Sequence, residues 1–151
     1  MFIGNVARPI EILLVEDNPG DIRLTLEAFK DAKVANHVSV VTDGIQALNH
    51  IHRQNALVGV LKPDLVLLDL NLPGKDGRTV LGELRADRRF ARLPVVVLTT
   101  SHSEEDMLRS QQLDVTAYMV KPVDFAQLIT VVKQIDEFHL TIVSRLAEAS
   151  A

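Results

Sequence analysis

Five short apolar runs in this chain each lead into residues that could do chemistry together. After Ile12-Leu13-Leu14-Val15 come Glu16 and Asp17, and after Leu65-Val66-Leu67-Leu68 come Asp69 and, two residues on, Asn71. Val95-Val96-Val97-Leu98 is followed by Thr99, Thr100 and Ser101. Ala117-Tyr118-Met119-Val120 is followed by Lys121 and Pro122, and Val38-Ser39-Val40-Val41 by Thr42-Asp43-Gly44. Open α/β sheets bind ligands at the carboxyl ends of their strands, near the point where the strand order reverses. If the runs are strands in the order 2-1-3-4-5, the first and third are neighbours at that point. Glu16, Asp17 and Asp69 then converge beside a hydroxyl and an ammonium. Carboxylates within a few Å raise one another's pKa. A hard divalent cation relieves the conflict, and Mg²⁺ takes one or two carboxylates while keeping positions for water and phosphate oxygens. With no cysteine and few histidines near these ends, Zn²⁺ is disfavoured. A carboxylate beside Mg²⁺, facing a hydroxyl and a lysine, can accept a phosphoryl group. The carboxylate attacks, the metal aligns and neutralises, and the lysine balances the transferred charge.

Positioning such a cluster requires a particular scaffold. Four of the five runs are almost continuously apolar, which suits strands of a parallel sheet covered on both faces. Between them, helices are predicted over about 19–32, 44–54, 76–87 and 103–112, with a last, extended one over about 124–147. Pro19 suits a first helical turn, and Asp124 an N-cap before the spacing Phe125, Leu128, Val132, Ile135. The expected architecture is a (βα)₅ doubly wound sheet, with helices on both faces through right-handed crossovers. All 151 residues are expected to form one domain, with one long connection over 54–64. Apolar residues at 47% supply one core, and a net charge of −4 argues against nucleic acid or an anionic membrane as partner. The start, Met1 to Pro9, lacks a basic region and a long apolar core, so no signal peptide is expected there, and no apolar run approaches the roughly 20 residues of a membrane span. A cytoplasmic protein is expected.

At Leu14-Val15-Glu16-Asp17-Asn18, Leu68-Asp69-Leu70-Asn71-Leu72-Pro73-Gly74-Lys75-Asp76-Gly77, Thr99, Tyr118 and Lys121-Pro122, the chain resembles the receiver domains of bacterial response regulators. The match covers nearly its whole length and implies the flavodoxin-like receiver fold. It implies that Asp69 is the phosphoacceptor, and that Asp17, Asp69 and the Asn71 backbone carbonyl bind Mg²⁺, with Glu16 acting through water. It implies that Thr99 is the switch hydroxyl, Tyr118 the aromatic that turns inward with it, Lys121 the cation that pairs with the phosphoryl group, and that the Lys121-Pro122 bond is cis. The implied partner is a histidine kinase. A narrower likeness joins Ile12 to Asp21, the long 54–64 connection, Val97-Leu98-Thr99-Thr100-Ser101 and Phe138-His139-Leu140. These resemble the single-domain regulators of bacterial phytochrome kinases, several of which are dimers. That group often carries tryptophan where His139 stands. Phe125, Leu128, Val132, Ile135, Phe138 and Ile142 can dock the last helix, leaving Ile129, Val131, Leu140, Val143 and Leu146 over. A helix apolar on more than one side has a second surface to bury. A homodimer through strand 5 and this helix is therefore expected.

Plainer readings attach to other residues. His50 and His52 are two apart and point different ways on a helix, a poor metal pair. All five histidines read as structural or surface groups. Arg85, Arg88, Arg89 and Arg92 read as a solvated face, and Gly77 as a helix opener. An aspartyl phosphohydrolase would commonly carry a second Asp two residues past its nucleophile, where this chain has Asn71. A scaffolding receiver would lack part of the set, which is complete here. A flavodoxin-like cofactor binder would need a Gly- or Ser/Thr-rich loop after strand 1. The expectation is a signalling phosphoacceptor with no turnover of a separate substrate.

Overall fold

The computed structural model describes residues 9–32, 35–56 and 63–132. Strands and helices alternate: β1 Ile10–Val15, α1 Pro19–Lys30, β2 Asn36–Val41, α2 Gly44–Ala56, β3 Leu65–Asp69, α3 Gly77–Ala86, β4 Val95–Thr99, α4 His102–Ser110, β5 Ala117–Val120 and α5 Phe125–Val132. All five strands run parallel in the order β2-β1-β3-β4-β5. The expected extension of the last helix to 147 lies outside the described residues, as does much of the 54–64 connection.

Period-two alternation sorts the strand residues onto two faces, which is why the runs are apolar throughout. Ile12, Leu14, Leu65, Leu67, Val96, Leu98 and Met119 face Phe29 of α1 and Phe125 and Leu128 of α5. Leu13, Val15, Val66, Leu68, Val95, Val97 and Tyr118 face Ala47, Ile51, Val80, Leu84 and Leu108 of α2, α3 and α4. On the first face Phe29 and Phe125 meet edge to face, with ring centroids 5.2 Å apart.

Side-chain caps start four of the helices that follow the strands. Asn18 Oδ1 accepts the Asp21 N–H at 3.0 Å, with Pro19 opening α1. Asp76, Ser101 and Asp124 cap α3, α4 and α5 in the same way. Register then sets what meets at the carboxyl edge. Val15 pairs with Leu68, so Glu16 and Asp69 are level; Asp69 pairs with Leu98, and Thr99 with Val120.

Two residues differ from their plainer readings. Arg85 is not part of a solvated face. Its side chain is 12% exposed, and Nη1 donates to the carbonyls of Phe90, Ala91 and Leu93, while Nε donates to that of Asp114. Burial lowers its pKa. The guanidinium thus ties α3 to backbone carbonyls of the irregular turns before β4 and β5. Arg88, Arg89 and Arg92 are exposed as expected. Gly77 does open α3, but it also permits a close approach. A Cβ there would stand 2.7 Å from Leu70 Cα and 2.9 Å from Asp69 O, so a side chain would push on the backbone that carries Asp69.

Candidate functional site

Asp69 ends β3 and is 7% exposed. Its Oδ1 accepts the Asn71 N–H at 2.8 Å, and its Oδ2 accepts from Lys121 Nζ at 2.9 Å. Glu16, one residue past β1, is 1% exposed. Its Oε1 accepts the Asn18 N–H at 3.1 Å. Its Oε2 lies 2.7 Å from Lys121 Nζ but off the direction of a good hydrogen bond, so that contact is an ion pair. Burial raises the Glu16 pKa, and the lysine works against that rise. Asp17 is exposed at the mouth of the site. Glu16, Asp17 and Asp69 each offer an oxygen, and these oxygens lie within 4.8 Å of one another. The convergence read from the strand ends is present.

Lys121 enters from the β5–α5 turn, immediately before a cis Lys121-Pro122 bond. Its N–H donates to Thr99 O at 2.8 Å, which ties the turn to the end of β4. Burial alone would lower the ammonium pKa, but the contacts to Glu16, Asp21 and Asp69 outweigh it and hold the value above that of an ordinary lysine. Asp21 is the site residue that sequence reasoning missed. Its Oδ2 accepts from Lys121 Nζ at 2.9 Å. The available signal was Asn18: a cap one residue after Asp17 starts α1 at the site, and Asp21 lies in its first turn.

Thr99 is wholly buried, and its hydroxyl donates to Met119 O at 3.3 Å. Thr100 faces outward and donates to Glu104 at 2.8 Å. Of the two hydroxyls, Thr99 is the one the strand end turns inward. Tyr118 lies already inward, 8% exposed, with its hydroxyl on Leu108 O at 3.3 Å and the Arg109 guanidinium 4.9 Å from its ring centre. Burial raises its pKa. Among the described residues, no histidine joins the cluster: His52 stacks on Phe90, and His37 meets Glu11 at 2.9 Å. No cysteine exists to join it. The donor set is all oxygen, partly buried, and carries more negative charge than one lysine neutralises. That is the chemistry of a Mg²⁺-type site.

The family described as the response regulator receiver domain matches residues 12–133. This chain is a response-regulator receiver. The receiver is 40% identical over 136 residues to the response regulator Rcp1 of Synechocystis sp. (strain ATCC 27184 / PCC 6803 / Kazusa), covering 90% of this chain and 92% of Rcp1. The Mn(2+)-bound form of Rcp1 superposes with a TM-score of 0.65 at 41% identity, over 87% of this chain and 95% of that one. The bacteriophytochrome response regulator AtBRR superposes with a TM-score of 0.74 at 40% identity, over 85% and 94% of the two chains. The phosphorylated cyanobacterial phytochrome response regulator RcpA gives 0.66 at 44% identity, over 88% and 95%. The strand order and the five flanking helices are those of the receiver fold.

In metal-free solution Lys121→Met should leave the buried Glu16 carboxylate without its counter-charge. Breaking a buried pair from one side costs about 3 kcal/mol. A Glu16 pKa held above its unfolded value means that the folded state takes the proton more readily. Its contribution to stability is therefore present at low pH and lost as pH rises through the folded value. The deficit against wild type should be largest at neutral pH and smaller in mildly acidic solution, where Glu16 takes up its proton. Urea unfolding with a chelator present measures this, and an equal deficit at both pH values would contradict it.

Proposed function

We propose that this two-component receiver takes a phosphoryl group from a histidine kinase onto Asp69, with Mg²⁺ as cofactor, and signals by the change of shape that follows. The observation that carries the reading is the pairing at Asp69. One oxygen of a buried carboxylate is held by Lys121, and the same carboxylate shares an acidic cluster with Glu16 and Asp17. Asp17, Asp69 and the Asn71 carbonyl would hold the metal, with Glu16 reaching it through water. Bound there, Mg²⁺ supplies charge neutralisation between the acceptor and the incoming phosphoryl oxygens. An Asp69 oxygen forms the new bond to phosphorus as the bond from phosphorus to the donor imidazole nitrogen breaks, and the imidazole keeps that electron pair. Lys121 pairs with the transferred charge. The chemistry is the chain's own modification, with no separate substrate turned over. The whole chain acts as one cytoplasmic unit, and among the described residues no helix is long and apolar enough to cross a membrane. The phytochrome-linked relatives support a bacteriophytochrome kinase as the donor.

The readout starts at Thr99. The new group brings about −1.5 to −2 charge at pH 7. The Thr99 hydroxyl leaves Met119 O for a phosphoryl oxygen, and the β4–α4 loop follows it. Tyr118 is tied to α4 through Leu108 O and Arg109, so its ring reports the same movement. The two states need differ by only a few kcal/mol.

We also propose a homodimer through β5 and the last helix. β5 is an edge strand, and the groove beside it runs from His102 and Tyr118 to Gln127 and Thr130.

Incubated with a small phosphodonor and Mg²⁺, the wild type should gain one phosphoryl mass, and both Asp69→Asn and chelated wild type should gain none. An equal adduct on Asp69→Asn would refute the assignment. The same variant should take no label from a phosphorylated phytochrome kinase that labels the wild type. Thr99→Ala should accept the group yet lose the NMR shift changes in α4 and Tyr118, whereas identical changes in both proteins would break the coupling. Light scattering at micromolar protein should give a dimer mass, and a strictly monomeric mass with and without phosphorylation excludes the dimer.

A further inference from the structure

An ammonium has three N–H bonds, and Lys121 has three acidic neighbours. Only two of them, Asp69 Oδ2 and Asp21 Oδ2, both at 2.9 Å, stand in hydrogen-bonding directions. Glu16 is nearer, at 2.7 Å, but off line. Among the described residues, Asp21 is therefore the directional partner of Lys121 that is not itself the acceptor. Asp21 is fixed in turn. Its N–H donates to Asn18 Oδ1 at 3.0 Å, and its carbonyl accepts the Thr25 hydroxyl at 2.9 Å. The first turn of α1 is thus joined across the site to the β5–α5 turn, 100 residues away in sequence.

The acceptor cannot hold its own lysine through the reaction. As Asp69 forms its bond to phosphorus, its carboxylate becomes an acyl phosphate, and the negative charge moves out onto the phosphoryl oxygens. The Asp69–Lys121 bond weakens at the moment the ammonium must stay aimed. Glu16 holds the ammonium close by charge but lies off the line of a good hydrogen bond, so Asp21 supplies the second directional contact. Resting on the phosphoacceptor reading above, we propose that Asp21 is a positioning residue for phosphoryl transfer, holding Lys121 so that one N–H stays directed at the oxygens around Asp69. Asp21 touches neither the phosphoryl group nor the acceptor and acts only through the lysine. Small displacements of a positioned group cost large factors in rate.

The test uses the full chain with phosphoramidate and Mg²⁺, and reads the Lys121 ammonium by ¹⁵N NMR in the unphosphorylated protein. Asp21→Ala should slow phosphorylation by about tenfold and broaden or shift the Lys121 signal, with the melting temperature close to wild type. Asp21→Asn keeps a carbonyl acceptor at the same length and should restore most of the rate and the signal. Asp21→Ser starts a helix as well but is too short to reach the lysine. It should behave like Asp21→Ala, and it carries the test should the alanine variant fail to fold. A wild-type rate in both short variants overturns the proposal. So does a slowed rate with an unchanged Lys121 signal and no rescue by asparagine, because that pattern belongs to a general disturbance of α1. A wild type that takes no phosphoryl group overturns the phosphoacceptor reading and the catalytic part of this one with it, while the ammonium signal still shows whether Asp21 holds the lysine.

Discussion

Lys121 stands where four carboxylates meet. Glu16, Asp21 and Asp69 touch its ammonium, and Asp17 lies just outside, within 4.8 Å of the other cluster oxygens. A single lysine does not balance four acids. Water is largely excluded from Glu16 and Asp69, so the imbalance is not screened away. The remaining negative charge is an affinity for a cation, and the lysine is a second positive group that can follow charge as it moves. A phosphoacceptor needs both properties. It must tolerate a dianionic group arriving at a carboxylate, and it must register that the group has arrived.

The parallel sheet makes this concentration of charge possible. Because all five strands run the same way, their carboxyl ends share one edge, and each contributes its next residue there. The two apolar faces hold that edge rigid, with α1 and α5 on one side and α2, α3 and α4 on the other. The charged groups sit at the rim of this core. Capped helix starts at Asn18 and Ser101 turn the chain away within three residues of β1 and β4, so those turns at the site are short. Gly77 belongs to the same economy of space, since α3 begins against the backbone of Asp69 and Leu70 with no room for a Cβ.

Much of this was legible before any coordinates. The strands were legible because two-sided burial leaves apolar runs, and the site because each run ends in a reactive residue. Strand order was a supposition until the register showed Val15 beside Leu68. Three features were not legible, each for a physical reason. Arg85 looks like any surface arginine in a basic stretch, and only the path of the backbone around it reveals the carbonyls it serves. Gly77 reads as a helix opener because the approach of Leu70 is a tertiary fact. Asp21 looks like a solvated first-turn acid, and its partner is 100 residues away. Of Thr99 and Thr100, the strand end buries one hydroxyl and leaves the other exposed, a difference the sequence does not display.

The charge imbalance at the carboxyl edge suits the arrival of a phosphoryl group at one residue, the proposed acceptor Asp69. An acyl phosphate is reduced by borohydride to an alcohol, so a phosphorylated aspartate leaves homoserine at its position. Treat the protein with phosphodonor and Mg²⁺, reduce it, digest it and sequence the peptides by mass spectrometry. Homoserine is expected at position 69 and at no other aspartate, with none formed when the metal is chelated. Homoserine at Asp17 or Asp21, or a phosphoryl adduct that borohydride leaves untouched, would contradict it.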